Sequence, residues 1–263
     1  RNFSKFKLVS KPSITLHNKA VNQVTVTLNI QAPDYTHNDS PAEDLAVNSL
    51  CYGDISPFYK DLIGKSNLAN GVSGSTMFFS KGGCHFIRFA CPLENFKEVL
   101  KEFPKTLENV LKNGLTQDAI DRIRNQYIAS KIYEKETLES YAFALGHGFA
   151  QSGDIYCEDE FIKKMKNISK SKVLKSIAEI FERDMHICVQ LPNNTEENDY
   201  KKDIENFRTQ VNQVAKTSLA SSEIKDIETS KYDSEVKTIK LSTKLFNYFW
   251  INSRKTIMRL QIS

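Results

Sequence analysis

The side chains best suited to metal or acid–base chemistry are spread thinly along this chain. It has five histidines, namely His17, His37, His85, His147 and His186. No two of them lie three or four residues apart and HxxEH does not occur in either direction, so no local zinc motif is present. A hydrolytic zinc site needs three protein ligands, a bound water and a carboxylate that takes the water's proton. The sequence therefore predicts no catalytic residue and no metal ligand here.

The five cysteines are equally poor candidates for a reactive site. They are Cys51, Cys84, Cys91, Cys157 and Cys188, an odd number without a CxxC pair, which argues against a complete disulfide framework. Adjacent strand residues point to opposite faces, so Cys84 and His85 cannot bind one ion or act as nucleophile and base. His186 and Cys188 share one face of a regular strand, but two groups alone make no zinc site. We expect free thiols that pack as small apolar side chains.

The composition excludes several classes of protein. With 263 residues, of which 40% are hydrophobic, the chain can bury the core of one large or two modest domains. Its net charge of +4 comes without a dense Lys/Arg block, so we expect no nucleic-acid partner. No apolar run approaches the ~20 residues that span a bilayer, so we expect no membrane span. The chain starts without Met, as if cut from a longer one, and its compartment stays open between periplasm, organelle and cytoplasm.

Four segments have the pattern of β-strands. In residues 21–31 apolar residues alternate with polar ones, which indicates a strand buried on one face. Residues 70–80 and 84–91 are separated by a glycine-rich turn and are predicted to form a hairpin. In residues 84–91 the side chains on both faces of the strand include apolar ones. We therefore expect helices over part of each face of the sheet. Residues 185–192 are predicted to be the last strand of this sheet.

Between the strands the apolar residues recur with helical spacing. Ser40 is predicted to cap a helix that reaches residue 51, with Glu43 three residues later as in a capping box. A second helix is predicted over residues 93–112, where Pro104 should kink or interrupt it.

A longer helical run begins after Thr116 and is predicted to bend near residues 136–139. Two shorter helices follow it before the last strand. Strands joined by a hairpin and helices grouped together are typical of an α+β fold. We therefore predict a mixed, largely antiparallel sheet backed by a layer of long helices.

Several stretches in combination resemble the pitrilysin/insulinase family of zinc metallopeptidases. VTVTLNIQAP, followed by PAEDLAVNSLCYGDISPFYKDLI, is similar to the family's strand–helix pattern ending in "sSrLyk.L". LENFKEVLKEFPKTLENVLKNGLTQDAIDRIRNQYIAS is similar to its paired helices, with Gly114, Leu115 and Thr116 as the "GlT" turn. GFAQSGDIYCEDEFIKKMKNISKSKVLKSIAEIF is similar to the family's next two helices. The resemblance covers roughly residues 13–191.

The resemblance implies a piece of a larger, multidomain peptidase. Family members carry zinc through HxxEH in one domain, followed by a homologous domain without metal. Residues 1–192 would be such a non-catalytic domain with the pitrilysin/insulinase-like sandwich fold, residues 193–235 a charged linker with a helix, and residues 236–263 the first strands of a following homologous domain. Zinc is then expected in a catalytic domain outside this chain, with none bound by this fragment. The chain is predicted to be inactive alone.

The resemblance also implies an unfolded peptide or oligopeptide as substrate and a homologous catalytic domain, of the same or a paired chain, as partner. The family's Arg–Tyr pair that binds substrate has no convincing counterpart in residues 71–90, where Arg88 is the only arginine. We predict instead that a sheet edge and an apolar wall bind peptide, through Val72, Ser73, Ser75, Phe78 and Phe79. Two alternatives remain open: a catalytically inactive homologue acting as scaffold or partner subunit, and an unrelated α+β interaction module.

Overall fold

The computed structural model describes residues 12–221, all of which belong to one compact unit. Its strands form a single sheet in the order β1-β5-β2-β4-β3. They are β1 (Ser13–Lys19), β2 (Val24–Ala32), β3 (Gly71–Phe79), β4 (Gly82–Cys91) and β5 (Met185–Pro192). β1 and β5 pair in parallel, whereas the other three pairings are antiparallel. The predicted hairpin is β3–β4, and it forms one end of the sheet.

The helices pack together beside this sheet, which confirms the predicted α+β architecture. They are α1 (Ser40–Cys51), α2 (Pro57–Tyr59) with a π-helical turn (Lys60–Lys65), a 3-10 turn (Leu93–Asn95), α3 (Phe96–Asn113), α4 (Gln117–Tyr133), α5 (Leu138–Ser152), α6 (Cys157–Lys166), α7 (Lys170–Glu182) and α8 (Asn198–Ala220). The long run after Thr116 is broken at residues 134–137, close to the predicted bend.

One face of the sheet is buried under the helices, and the other is not. In β2 the alternating residues Val24, Val26, Leu28 and Ile30 are fully buried, as their spacing predicts. In β4 the set that begins with His85 is buried, but Phe86 is half-buried and Arg88 is exposed. The expectation of helices over both faces of β4 is therefore wrong for the described part of the chain. We call the side opposite α1 and α7 the open face.

Helix α3 buries one apolar face in the core. Its apolar residues at helical spacing are all buried, namely Phe96, Val99, Leu100, Phe103, Leu107, Val110 and Leu111. The helix continues through Pro104, so the predicted interruption there does not occur. Proline removes one backbone hydrogen bond, a cost of about 3 kcal/mol. Fully buried side chains on both sides of Pro104 offset that cost, because each contributes roughly 1.5–3 kcal/mol of burial.

The start of α1 differs from the predicted capping box. The cap position is Asp39, and Ser40 is already helical with its hydroxyl donating to the Asp34 carbonyl at 2.6 Å. Glu43 does not reach back to the cap; its carboxylate points into the protein and binds two other side chains. Glu43 is only 2% exposed, so its carboxylate is used inside the protein and not at the start of the helix.

A helix also occupies part of the segment predicted as a linker. Helix α8 buries Ile204, Phe207 and Val211 on the side that faces α3 and α7. The Asn212 amide donates to the Glu182 carbonyl at 2.5 Å and so satisfies the C-terminal end of α7. The predicted following domain and the end of the predicted linker lie outside the described residues, and the division of the chain at residue 192 stays a prediction.

Gly74 allows α1 to approach β3 closely, and this makes a specific prediction. A Cβ atom at Gly74 would lie 2.8 Å from Cys51 Cβ and 2.9 Å from Val47 Cγ1, too close for real carbon contacts. We expect Gly74→Ala to lower the free energy of unfolding by about 1–3 kcal/mol through overpacking. Gly71→Ala, in the same strand with nothing within 4 Å of its Cβ position, is the matched control and should change stability by less than about 0.5 kcal/mol. Equal losses in urea unfolding would refute the packing argument.

Candidate functional site

The five residues predicted to bind peptide all lie on β3, but they do not form one surface. Ser73 and Ser75 are exposed on the open face, opposite Arg88 and Phe86 of β4. Phe79 shares this face and is 48% exposed.

Val72 and Phe78 point to the helical side of β3. Both pack against the hydrophobic core, and Val72 stands opposite the buried Phe89. The Phe78 ring lies 6.2 Å from the Tyr35 ring and 5.8 Å from the Phe161 ring, measured between centroids. These two side chains are therefore occupied by packing.

The backbone of β3 is the feature of this site that a peptide could use. β3 is the last strand of the sheet within the described residues, so one side of its backbone pairs with β4 and the other has no strand partner. Such an edge can accept an added strand through main-chain hydrogen bonds, which tolerates many peptide sequences. Ser73 and Ser75 are small and exposed on the open face, so they leave room for every second side chain of the added strand.

A buried cluster of charged side chains lies behind β3 and β4. His85 is fully buried, and its Nε2 atom lies 2.8 Å from Glu43 Oε2. Arg183, between α7 and β5, donates from Nη1 to Glu43 Oε2 at 2.8 Å and from Nη2 to Glu43 Oε1 at 2.6 Å. It also donates to the Gln31 carbonyl at 2.9 Å. This two-pronged pairing is the strongest geometry available to a carboxylate, and it joins α1, β4 and the chain before β5.

The contacts within and beside this cluster shift the pKa values of its side chains. Burial alone would raise the pKa of Glu43, but hydrogen bonds and charge attraction from Arg183 and His85 lower it to about 2. Burial lowers the pKa of His85, and this outweighs the hydrogen bond to Glu43. Burial raises the pKa of the neighbouring Asp44 to about 6, against hydrogen bonds from Thr76 and Asn48. The pKa of Glu43 is thus held well below its ordinary value by its partners, whereas burial holds that of Asp44 well above it.

Comparison with known proteins shows what part of this chain is similar to. Residues 2–127 match the family model of the peptidase M16 inactive domain. Over these residues the chain is similar to the inactive domain of M16 peptidases. The predicted resemblance to the pitrilysin/insulinase peptidases is therefore confirmed over the matched residues. No curated protein matches the chain.

Solved structures share the fold of this domain. They include a protease from Helicobacter pylori, at 19% identity and a TM-score of 0.60, and the peptidase M16 inactive domain from Pseudomonas fluorescens, at 18% and 0.61. These alignments cover 70% and 71% of this chain but only 45% of either neighbour. The inactive peptidase domain of a protein assigned as a zinc protease, from Bordetella parapertussis, aligns at 21% identity with a TM-score of 0.59, over 69% of this chain and 98% of its own.

The histidines of this domain do not fit a zinc site. Both ring nitrogens of His85 are engaged, by Glu43 at 2.8 Å and by the Thr76 hydroxyl at 2.9 Å. His186 Nδ1 lies 2.5 Å from the Ser13 hydroxyl, and the His147 ring stacks on Phe143 at 6.1 Å. Among residues 12–221, no three His, Cys, Asp or Glu side chains are grouped so as to hold a metal ion. No catalytic step can be derived through a metal from these residues.

Sequence reasoning missed the buried charges of this domain, although one signal was available. In β4 His85 alternates with Ile87 and Phe89, which places its ring on the buried face. A histidine in a buried set needs a polar partner. Its partner Glu43 lies 42 residues away, and Arg183 lies 140 residues from Glu43, so no local pattern could identify them.

None of the helices that the structure describes is both long and apolar enough to cross a bilayer. Three features of the described residues remain as candidates for a functional role. They are the open face, the edge of β3 and the buried cluster of charged side chains.

Proposed function

We propose that this domain forms part of the peptide-binding wall of a zinc metallopeptidase whose zinc-bearing catalytic domain is a separate, homologous domain. The match of residues 2–127 to an inactive domain of M16 peptidases is the observation that carries this proposal. The neighbours from Helicobacter pylori and Pseudomonas fluorescens are more than twice as long as the part this chain covers, which leaves room for a second domain beside each.

The role of this domain is to hold an extended peptide along β3. Main-chain pairing at the edge would fix the direction of the peptide, and Ser73, Ser75 and Phe79 would contact its side chains on the open face. Val72 and Phe78 would act indirectly, because their packing against the core keeps β3 in place. Such a wall contributes binding and orientation, while the chemistry is supplied by the catalytic domain.

Amide hydrogen exchange tests the binding role directly. A soluble, unstructured synthetic peptide is added to the 263-residue chain, and exchange is followed by mass spectrometry. We expect exchange in residues 71–79 to slow several-fold, because added-strand hydrogen bonds protect backbone amides. The opposite edge strand β1 is the internal control and should be unaffected. Equal protection at both edges, or none at β3, would rule out a specific peptide site there.

The catalytic part of the proposal is tested on the parent protein. We expect the full-length gene product to contain zinc and to cleave unfolded peptides, and a chelator to abolish the cleavage. A full-length protein without zinc and without cleavage, which still protects β3 on peptide addition, would favour the inactive scaffold instead.

A further inference from the structure

The open face of the sheet carries positive charge and no negative charge from its strands. None of the five strands that the structure describes contains an Asp or a Glu at any position. The open face does carry Arg88 on β4, and Lys19 and His17 on β1. A peptide on this face therefore meets no carboxylate from the strands, whereas a carboxylate of its own meets Arg88.

Arg88 is available for such a carboxylate. Its side chain is exposed, and among residues 12–221 it takes part in no hydrogen bond and no ion pair. It stands between Thr27 of β2 and Ser73 of β3, which are directly opposite it on the two neighbouring strands. Because both neighbours are short, neither covers the guanidinium. A planar guanidinium with unused donors suits a carboxylate, which it binds through two parallel hydrogen bonds.

Ser73 lies between Arg88 and the place where a peptide would add to the sheet. Neighbouring strands run about 4.8 Å apart, so a strand added to β3 lies roughly 10 Å from β4. An arginine and a glutamate that extend toward each other above the small Ser73 side chain together span this distance. The peptide residue that reaches Arg88 is therefore the one opposite Ser73, with its side chain on the open face.

The surface becomes apolar two residues further along β3. Ser75 is opposite the half-buried Phe86 of β4, and beyond it Met77 and Phe79 are 51% and 48% exposed. Successive side chains on one face of a strand are two residues apart. A peptide residue two positions from the acidic one would thus lie over Ser75 against Phe86, where an apolar side chain is favoured.

We propose that Arg88 selects extended peptides that carry an acidic side chain on the open face, two residues from an apolar one. This inference rests on the proposed binding of peptide along β3, and it adds the class of peptide that this edge prefers. A lysine at the same peptide position would face Arg88 with like charge, so peptides of that kind are rejected.

Solvent limits the size of this preference. An ion pair between exposed side chains changes an affinity by no more than about fivefold. Salt weakens such a pair, because the Debye length falls to about 3 Å at 1 M ionic strength. The preference for an acidic peptide is therefore expected to be about fivefold at low salt and to shrink steadily as salt is added.

Three soluble, unstructured synthetic peptides test the selection on the 263-residue chain. They differ only at a central residue, which is Glu, Gln or Lys, and each has Leu two residues away on both sides. Acetylated and amidated ends leave the Glu side chain as the single carboxylate. Fluorescence anisotropy of labelled peptides measures affinity, and amide exchange of residues 71–79 shows where each peptide binds.

We expect the Glu peptide to bind about fivefold more tightly than the Gln peptide, and the Lys peptide to bind more weakly than both. In Arg88→Met the preference for Glu should vanish, and in Arg88→Glu the Lys peptide should bind best. Arg122→Met removes an exposed arginine from α4 and changes the net charge equally, so it is the matched control and should keep the preference. Because Arg88 is exposed, urea unfolding of its variants should match that of the original chain.

The outcomes separate this inference from the proposed function. Equal affinities for three peptides that all protect residues 71–79 would overturn selection by Arg88 but leave the peptide site at β3 intact. A preference for Glu that survives in Arg88→Met, or that is lost equally in Arg122→Met, would overturn the selection as well. If no peptide protects residues 71–79, the peptide site at β3 and the selection by Arg88 are both wrong.

Discussion

Replacing Arg183 by methionine is expected to lower the free energy of unfolding by about 3 kcal/mol. The change leaves the Glu43 carboxylate buried without its two-pronged partner, and breaking a buried ion pair in this way costs about 3–5 kcal/mol. We expect the lower end of this range of costs, because a third of the Arg183 side chain is exposed. Water can therefore replace part of the lost interaction. Urea unfolding at pH 7 measures the difference.

Two further variants separate charge from packing. Glu43→Gln in the Arg183→Met background removes the orphaned charge and should recover more than half of the loss. Arg122→Met, at an exposed position, is the matched control and should change stability by less than about 0.5 kcal/mol. If the double variant is as unstable as Arg183→Met alone, the loss comes from packing of the arginine stem.

Acid should erase the difference between the Arg183→Met variant and the original chain. The pKa of Glu43 is lowered from 4.5 to about 2, so its contribution is complete above pH 4.5 and is lost as the pH falls through about 2. The two unfolding free energies are therefore expected to converge between these values. A difference that persists unchanged at pH 2 would contradict the assignment to Glu43 ionisation.

Local periodicity explains why the main elements were predictable. In β2 the period of two, and in α3 the helical spacing of seven apolar residues, each identify a face without knowledge of its partner. β1 was missed because only Ile14 and Leu16 of its seven residues are apolar and it pairs in parallel with β5, more than 160 residues later. Edge strands of this kind carry little apolar signal.

Side-chain partners at long range explain why the site was only partly predictable. The strand pattern correctly placed the candidate peptide residues on one strand, and the structure puts that strand at an edge of the sheet. The strand pattern could not show that the Phe78 ring packs on the Tyr35 ring. Tyr35 lies in the loop between β2 and α1, which approaches β3 only in the folded chain. Glu43 was assigned to a capping box for the same reason: a local rule was satisfied, but a buried histidine and arginine offered the carboxylate stronger partners.

The largest effect on packing is expected at Phe103, where we predict that alanine lowers the free energy of unfolding by about 3–5 kcal/mol. The Phe103 ring stacks on Phe58 with centroids 4.0 Å apart and lies 5.5 Å from both Phe89 and Phe207. Phe181 lies 6.2 Å away, so one ring on α3 contacts α2, β4, α8 and α7. Removing it leaves a cavity that these four elements cannot fill together without losing contacts elsewhere.

The form of the unfolding transition then tests where the domain ends. Because Phe207 belongs to α8, Phe103→Ala should weaken α8 together with the sheet, and both should unfold in one transition. Phe143→Ala, at a ring that is 73% exposed, is the matched control and should have little effect. If α8 unfolds separately, at lower denaturant than the strands in both the original chain and Phe103→Ala, then it behaves as part of the predicted linker. A single shared transition would instead make α8 the last helix of the inactive domain.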